Sequence, residues 1–352
     1  MLSPHICSFV NSQLSLSPQI RSLTRHTFTI RTIQFTYSSY HFSPARNSVS
    51  SSCFRYLFIS LLNGEQSVKT LAMASEQPEV FGGQKNFWLY SKTKGFDLTH
   101  PPTPTSPSIY PRIQLETTKG PIAIDPIKSA LVIVDLQNFF LSPCLGRPPD
   151  GVAMKVMHEL LKHAIPACRK ANIPIVWLNW GLTEQDIEEM PPTIIKGSYA
   201  DSNYGDTRTS SGLGSNIGPV ELEDGSVVDG GRVLMRDTWN CESYPPLKEK
   251  RQPQDILINK NRLSGFWGGT GIEEALASRG IRTLFFAGAN TDQCVGGSLQ
   301  DAFTKGFDCL MLSDGCATSS PDFARQCIEY NCEGGWGFVL SCKNLADGVE
   351  NM

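Results

Sequence analysis

Histidine is scarce in this 352-residue chain, and its placement excludes one common chemistry. Of six histidines, only His158 and His163 fall between Lys119 and Met352, and both lie on one amphipathic stretch. A Cys-His dyad built across the fold therefore has no base to use. Acid is almost missing from residues 1–72, where six Lys/Arg face the single Glu65, a net of +5; the remainder carries 25 basic against 33 acidic residues, a net of −8. An acidic domain offers no electrostatic footprint for nucleic acid. Long apolar runs are also lacking: residues 56–62 are apolar but far too few to span a bilayer, so no membrane partner is expected. The eleven cysteines contain no CxxC pair and no repeated spacing, and no secretory signal precedes them. They read as free thiols in a reducing compartment, and a cytoplasmic location is expected.

Residues 1–72 are Ser-, Thr- and Arg-rich without sustained periodicity. A mitochondrial or chloroplast transit segment has this composition. Translation starting at Met73 is the favoured alternative, because 35–58 shows no clear Arg-bearing amphipathic helix. Either way the segment is excluded from the fold. Residues 73–128 carry Trp88-Leu89-Tyr90 and then five prolines between 101 and 111, which reads as an irregular lead-in rather than a domain. A hairpin over 113–124, on a sheet edge, is expected around Gly120-Pro121.

From 129 onward the pattern changes. Ala130-Leu131-Val132-Ile133-Val134 is a buried strand ending in Asp135, and a helix over 152–171 and a strand over 173–178 complete a βαβ unit. Strands follow over 255–260, 284–287, 307–312 and 336–340, with a small-residue turn after 287 and helices at 272–278, after Asn290 and at 321–331. The expected fold is a three-layer, doubly wound α/β domain over 129–345 with a mostly parallel six-stranded sheet. Residues 181–250 interrupt it as an insertion, with a Gly/Ser-rich loop at 210–215 and the aromatic Trp239; a long insertion of this kind reads as a cover for a substrate.

Asp135, Lys260 and Cys294 each end or directly follow a strand. Parallel strands place their carboxyl ends on one edge, so the three can converge. Cys294 falls in the first turn of a helix, where the dipole favours a thiolate. With no histidine at hand, Asp135 is the available base. As ordinary structure, Cys294 would be a buried small residue, Asp135 a helix cap and Lys260 its loop partner.

Three motifs carry a resemblance: Asp135-Leu136-Gln137-Asn138, Lys260-Asn261-Arg262-Leu263-Ser264-Gly265-Phe266, and Gly288-Ala289-Asn290-Thr291-Asp292-Gln293-Cys294-Val295. In this order the chain over about 128–345 resembles the isochorismatase-like cysteine hydrolases. The resemblance implies an Asp135-Lys260-Cys294 triad acting through a thioester. It also implies a non-proline cis peptide before Asn290 and an oxyanion hole from the backbone amides of Asn290 and Cys294. Nicotinamidases of that fold hold a metal through histidines after the second strand; here the place reads Leu178-Asn179-Trp180-Gly181, so no metal or other cofactor is expected. Segments around Trp180 and Phe266 are more similar to the ureidoacrylate and carbamoyl-amide hydrolases, which cleave a C–N bond in a small molecule. Phe140, Asn179, Trp180, Trp239, Arg262 and Phe266 are the expected substrate-binding residues, and a homo-oligomer is the expected assembly. The alternatives are vinyl ether hydrolysis of the isochorismatase type and a catalytically silent binding protein on the same fold.

Overall fold

The computed structural model describes residues 78–198 and 212–352; the reading of 1–72 as an extension, and Ser210 and Ser211 of the Gly/Ser-rich loop, lie outside them. Five strands come first: β1 (Glu79–Gly83), β2 (Asn86–Ser91), β3 (Gly95–Asp97), β4 (Ile113–Thr117) and β5 (Gly120–Ile124). They form their own sheet in the order β1-β2-β3-β5-β4, antiparallel except where β3 meets β5. This corrects the expectation of an irregular lead-in. The hairpin at 113–124 is present, but as one side of this second sheet rather than the edge of the first. The cause lies in short alternations: Phe87 and Leu89 point inward on β2, and Ile113 and Leu115 on β4. The prolines occupy the loop between β3 and β4 and leave those strands intact.

The main sheet contains β6 (Ser129–Val134), β7 (Ile175–Trp180), β10 (Ile256–Lys260), β11 (Thr283–Ala289), β12 (Asp308–Ala317) and β13 (Gly337–Leu340), in the order β10-β7-β6-β11-β12-β13. Every pairing in it is parallel. A strand buried on both faces must be apolar throughout. Accordingly every residue of β6 and β11 is buried. Leu131 and Ile133 of β6 enter one core, and Ala130, Val132 and Val134 the other.

The first core is covered by α2 (Val152–Glu159) and α3 (Ile165–Lys170), joined through one wide turn at Leu160–Ala164, and by α10 (Cys342–Glu350), which closes the chain. The five-stranded sheet shares this core through Leu98, Ile113, Leu115, Ile122 and Ile124. Asp308, at the start of β12, ties the two sheets together. Its carboxylate accepts from the Trp88 indole (2.9 Å) and Thr283 (3.1 Å) and lies 2.6 Å from the His100 ring. The second core lies under α7 (Ile272–Ala277), α8 (Gly296–Thr304) and the end of α9 (Asp322–Asn331). The remaining elements are short: α1 (Asn138–Leu141) after β6, and in the insertion α4 (Glu184–Glu188), α5 (Pro192–Ser198), the hairpin β8 (Pro219–Glu221) with β9 (Val227–Asp229), and α6 (Pro245–Lys248). Among the described residues no helix is long and apolar enough to cross a membrane.

Candidate active site

The chain leaves β6 in one direction, through β7 to β10, and returns through β11 in the other. The carboxyl ends of β6 and β11 therefore flank the point where the strand order reverses, the usual ligand crevice of an open α/β sheet. Asp135 follows β6 directly, in a left-handed backbone conformation (φ 54°) that aspartate tolerates better than most residues. Gly288 of β11 sits opposite at φ 120°, and a Cβ there would lie 2.1 Å from the Val134 carbonyl oxygen. Only glycine lets the two strand ends approach so closely. The peptide between Ala289 and Asn290 is cis. A wide helical turn, Thr291–Val295, then carries Cys294 into α8.

Lys260 ends β10 and reaches across to both groups. Its ammonium lies 2.9 Å from Asp135 Oδ2 and 3.3 Å from Cys294 Sγ, and also donates to the Arg262 carbonyl at 3.2 Å. Asp135 and Lys260 are 0% and 1% exposed and Cys294 7%. A buried ion pair of this kind gains little net stability, because desolvation offsets the Coulomb attraction.

Burial sets the protonation states. It holds the Asp135 carboxyl above the ordinary carboxylate range, against the opposing pull of Lys260. Burial pushes the Cys294 thiol up to about 12; Lys260 opposes this and Asp135 adds to it. The expectation that a helix start would lower this thiol is thus corrected. The turn is short and dry, and desolvation of a thiolate outweighs the partial charge of a few amides. Enclosure thus opposes ionisation of both groups.

The structure brings some of the expected substrate residues to this edge and leaves others away from it. The Trp180 ring lies against Lys260, its centroid 4.0 Å from the ammonium. Arg262 gives its carbonyl to Lys260, while its guanidinium packs over Trp267 (5.0 Å) and donates to the Asn261 carbonyl and Met190 Sδ. Phe266 is fully buried against the rings of Phe286 and Phe307, so it is core beneath the site rather than an open wall. Phe140 packs into both cores, while its neighbour Phe139 packs only on the Cys294 side. Trp239 approaches through its main chain, its carbonyl accepting from Asn138 Nδ2 at 2.7 Å. Asn179 is a correction: one step from Trp180 on β7, it projects to the opposite side, where its amide donates to Ser243 Oγ at 3.2 Å.

Gln137 and Cys241 are the residues that sequence reasoning missed. The fully buried Gln137 amide donates to the carbonyls of Trp180 (2.8 Å) and Cys241 (2.6 Å), and Cys241 Sγ donates to the same Trp180 carbonyl (3.0 Å). Gln137 stood in the first motif as its third residue, the one signal that could have marked it. Cys241 carried none. Together they bind the end of the insertion to the loop that holds Asp135.

Residues 129–331 match the family model for the isochorismatase domain. The chain is 29% identical over 247 residues to the ureidoacrylate amidohydrolase RutB of Caulobacter segnis, spanning 69% of this chain and 93% of that protein. Among solved structures, a cysteine hydrolase from Pseudomonas syringae pv. phaseolicola is similar at 18% identity (TM-score 0.47), covering 65% of this chain and 95% of that one. N-carbamoylsarcosine amidase from Thermoplasma acidophilum is similar at 22% identity (TM-score 0.44), with 61% and 96% covered. The family model alone spans more than half of the sequence, and with Asp135, Lys260 and Cys294 gathered at one sheet edge, this chain belongs to the isochorismatase family of hydrolases.

Proposed function

We propose that the protein is a cysteine hydrolase that cleaves a C–N bond in a small ureido, carbamoyl or simple amide substrate. The observation that carries this is a single ammonium, Lys260, within 2.9 Å of a carboxylate and 3.3 Å of a thiol in a buried site. In the proposed reaction the Cys294 proton passes to Asp135 as sulfur attacks the carbonyl carbon. The oxyanion is held by the backbone amides of Asn290 and Cys294. The intermediate collapses as the amine leaves with the proton from Asp135, forming a thioester. Asp135 then takes a proton from water, whose oxygen displaces the sulfur, and the thiol regains its proton. Lys260 offsets negative charge on whichever partner carries it. The relative that acts on ureidoacrylate supports a ureido acid as substrate.

The test is ammonia release from a panel of ureido, carbamoyl and simple amides, followed by acid quenching and mass analysis of the peptide containing Cys294. A trapped acyl increment, and Cys294→Ala that folds but does not turn over, are the expected results. Ammonia release surviving in Cys294→Ala would overturn the thioester route, and a wild type that releases ammonia from none of these compounds but hydrolyses a vinyl ether would move the reading to the isochorismatase type.

A further inference from the structure

One strand, β7, separates the strand that carries Lys260 from the strand that carries Asp135. Lys260 and Trp180 are register partners at the ends of β10 and β7, so their side chains leave the sheet side by side on one face. To reach Asp135 and Cys294, the lysine must cross the tryptophan. Its ammonium donates to Cys294 and the Arg262 carbonyl and pairs with the Asp135 carboxylate, and the Trp180 ring, 4.0 Å away, covers a further side. The ammonium has no water shell left. The same tryptophan grips the base: its backbone N–H is shared between Asp135 Oδ1 (3.0 Å) and Gln137 Oε1 (3.1 Å). Its carbonyl, held by Gln137 and Cys241, fixes where the strand ends.

We propose that Trp180 is a positioning residue of the hydrolysis, its indole face holding the Lys260 ammonium aimed between Asp135 and Cys294. An aromatic face attracts a desolvated cation through its quadrupole. Trp180 thereby sets the reactivity of a thiol through the lysine. This differs from a substrate-wall role, which would act on binding alone. The turnover arm of the test rests on the proposed hydrolysis; the alkylation arm needs no substrate.

The experiment measures alkylation of Cys294 by iodoacetamide against pH, with peptide mapping, in the full-length protein. It compares wild type with Trp180→Phe and Trp180→Met, each with Lys260 present and with Lys260→Met, after circular dichroism has shown that each variant is folded. Loss of the aromatic face in Trp180→Met should slow alkylation about 3- to 30-fold at fixed pH, with an accompanying fall in kcat, relative to the same change in the Lys260→Met background. Taking this ratio removes any effect of easier access. Trp180→Phe, which keeps a ring over the ammonium, should stay within about 3-fold of wild type. An effect of equal size with and without Lys260, or a rise in KM with an unchanged alkylation profile, would overturn the proposal. If wild type hydrolyses no amide, the functional reading fails while the alkylation ratio still decides the role of Trp180.

Discussion

Replacing Asp135 by Asn separates two roles that the carboxylate holds at once. It is the proposed base for Cys294, and its charge also helps to keep that thiol protonated. The isosteric change removes the charge while keeping an acceptor for the Trp180 N–H. Lys260 then loses the partner 2.9 Å away and keeps the sulfur at 3.3 Å. A unit charge about 4 Å away contributes ~4 kcal/mol at an effective dielectric constant near 20. That corresponds to roughly a thousandfold change in the thiolate fraction. The sign follows directly: Asp135 raises the thiol's pKa, so its removal lowers it, and more thiolate exists at neutral pH. The buried ammonium pushes the same way, since an unpaired buried charge costs about 3–5 kcal/mol and the thiolate is the nearest counter-ion. Alkylation of Cys294 at pH 7, followed by intact mass, should accelerate about 100- to 1,000-fold, while amide turnover falls at least ~100-fold for want of a base. Faster alkylation with lost catalysis is not what a merely structural aspartate would produce. A variant alkylated no faster than wild type would refute the electrostatic account of the site.

Two further outcomes follow. The Asp135 carboxyl titrates above the ordinary carboxylate range and must be ionised to act, so kcat/KM should fall on the acid side at a higher pH than for an exposed aspartate. With the Cys294 thiol at about 12, no alkaline loss should appear below about pH 10; a descending limb near the usual cysteine value would sink this reading. Separately, Asp308→Ala leaves the Trp88 indole, His100 and Thr283 without their shared acceptor. It should cost about 3–5 kcal/mol in urea denaturation, with hydrogen exchange rising first in 86–124, whereas protection there equal to wild type would show that the anchor carries no weight.

The parallel sheet was legible because its central strands are apolar on both faces and punctuated by helices of ordinary length; the observed strand 256–260 falls within a residue of where periodicity puts it, while β11 runs on through Gly288 and Ala289, where a turn was expected. The triad's convergence followed from one rule, that parallel strands present their carboxyl ends together. The five-stranded sheet was not legible because its strands are three to six residues long and stand beside a proline-rich loop. Composition dominates such a window, and at most three buried residues on any one strand are too few to reveal a period. α10 was missed for a related reason: Gly348 sits within it, where a Cβ would lie 2.4 Å from the Gln114 carbonyl, so a residue that weakens helices is kept for close packing on β4. Asn179 was misplaced by counting proximity in sequence and neglecting that neighbours on a strand face opposite ways.

Cys294 makes the same point about reactivity. Sequence places it at a helix start, and a helix start by itself argues for a low thiol pKa. The fold adds full enclosure, a carboxylate and one ammonium, and enclosure prevails. In the proposed hydrolysis such a thiol would stay quiescent until a carbonyl is bound beside it, because thiolate would form only as its charge moves onto substrate oxygen and its proton onto Asp135. Lys260 can serve the carboxylate, the thiolate and the returning carboxylate in turn without moving, since 2.9 Å and 3.3 Å already place it between them.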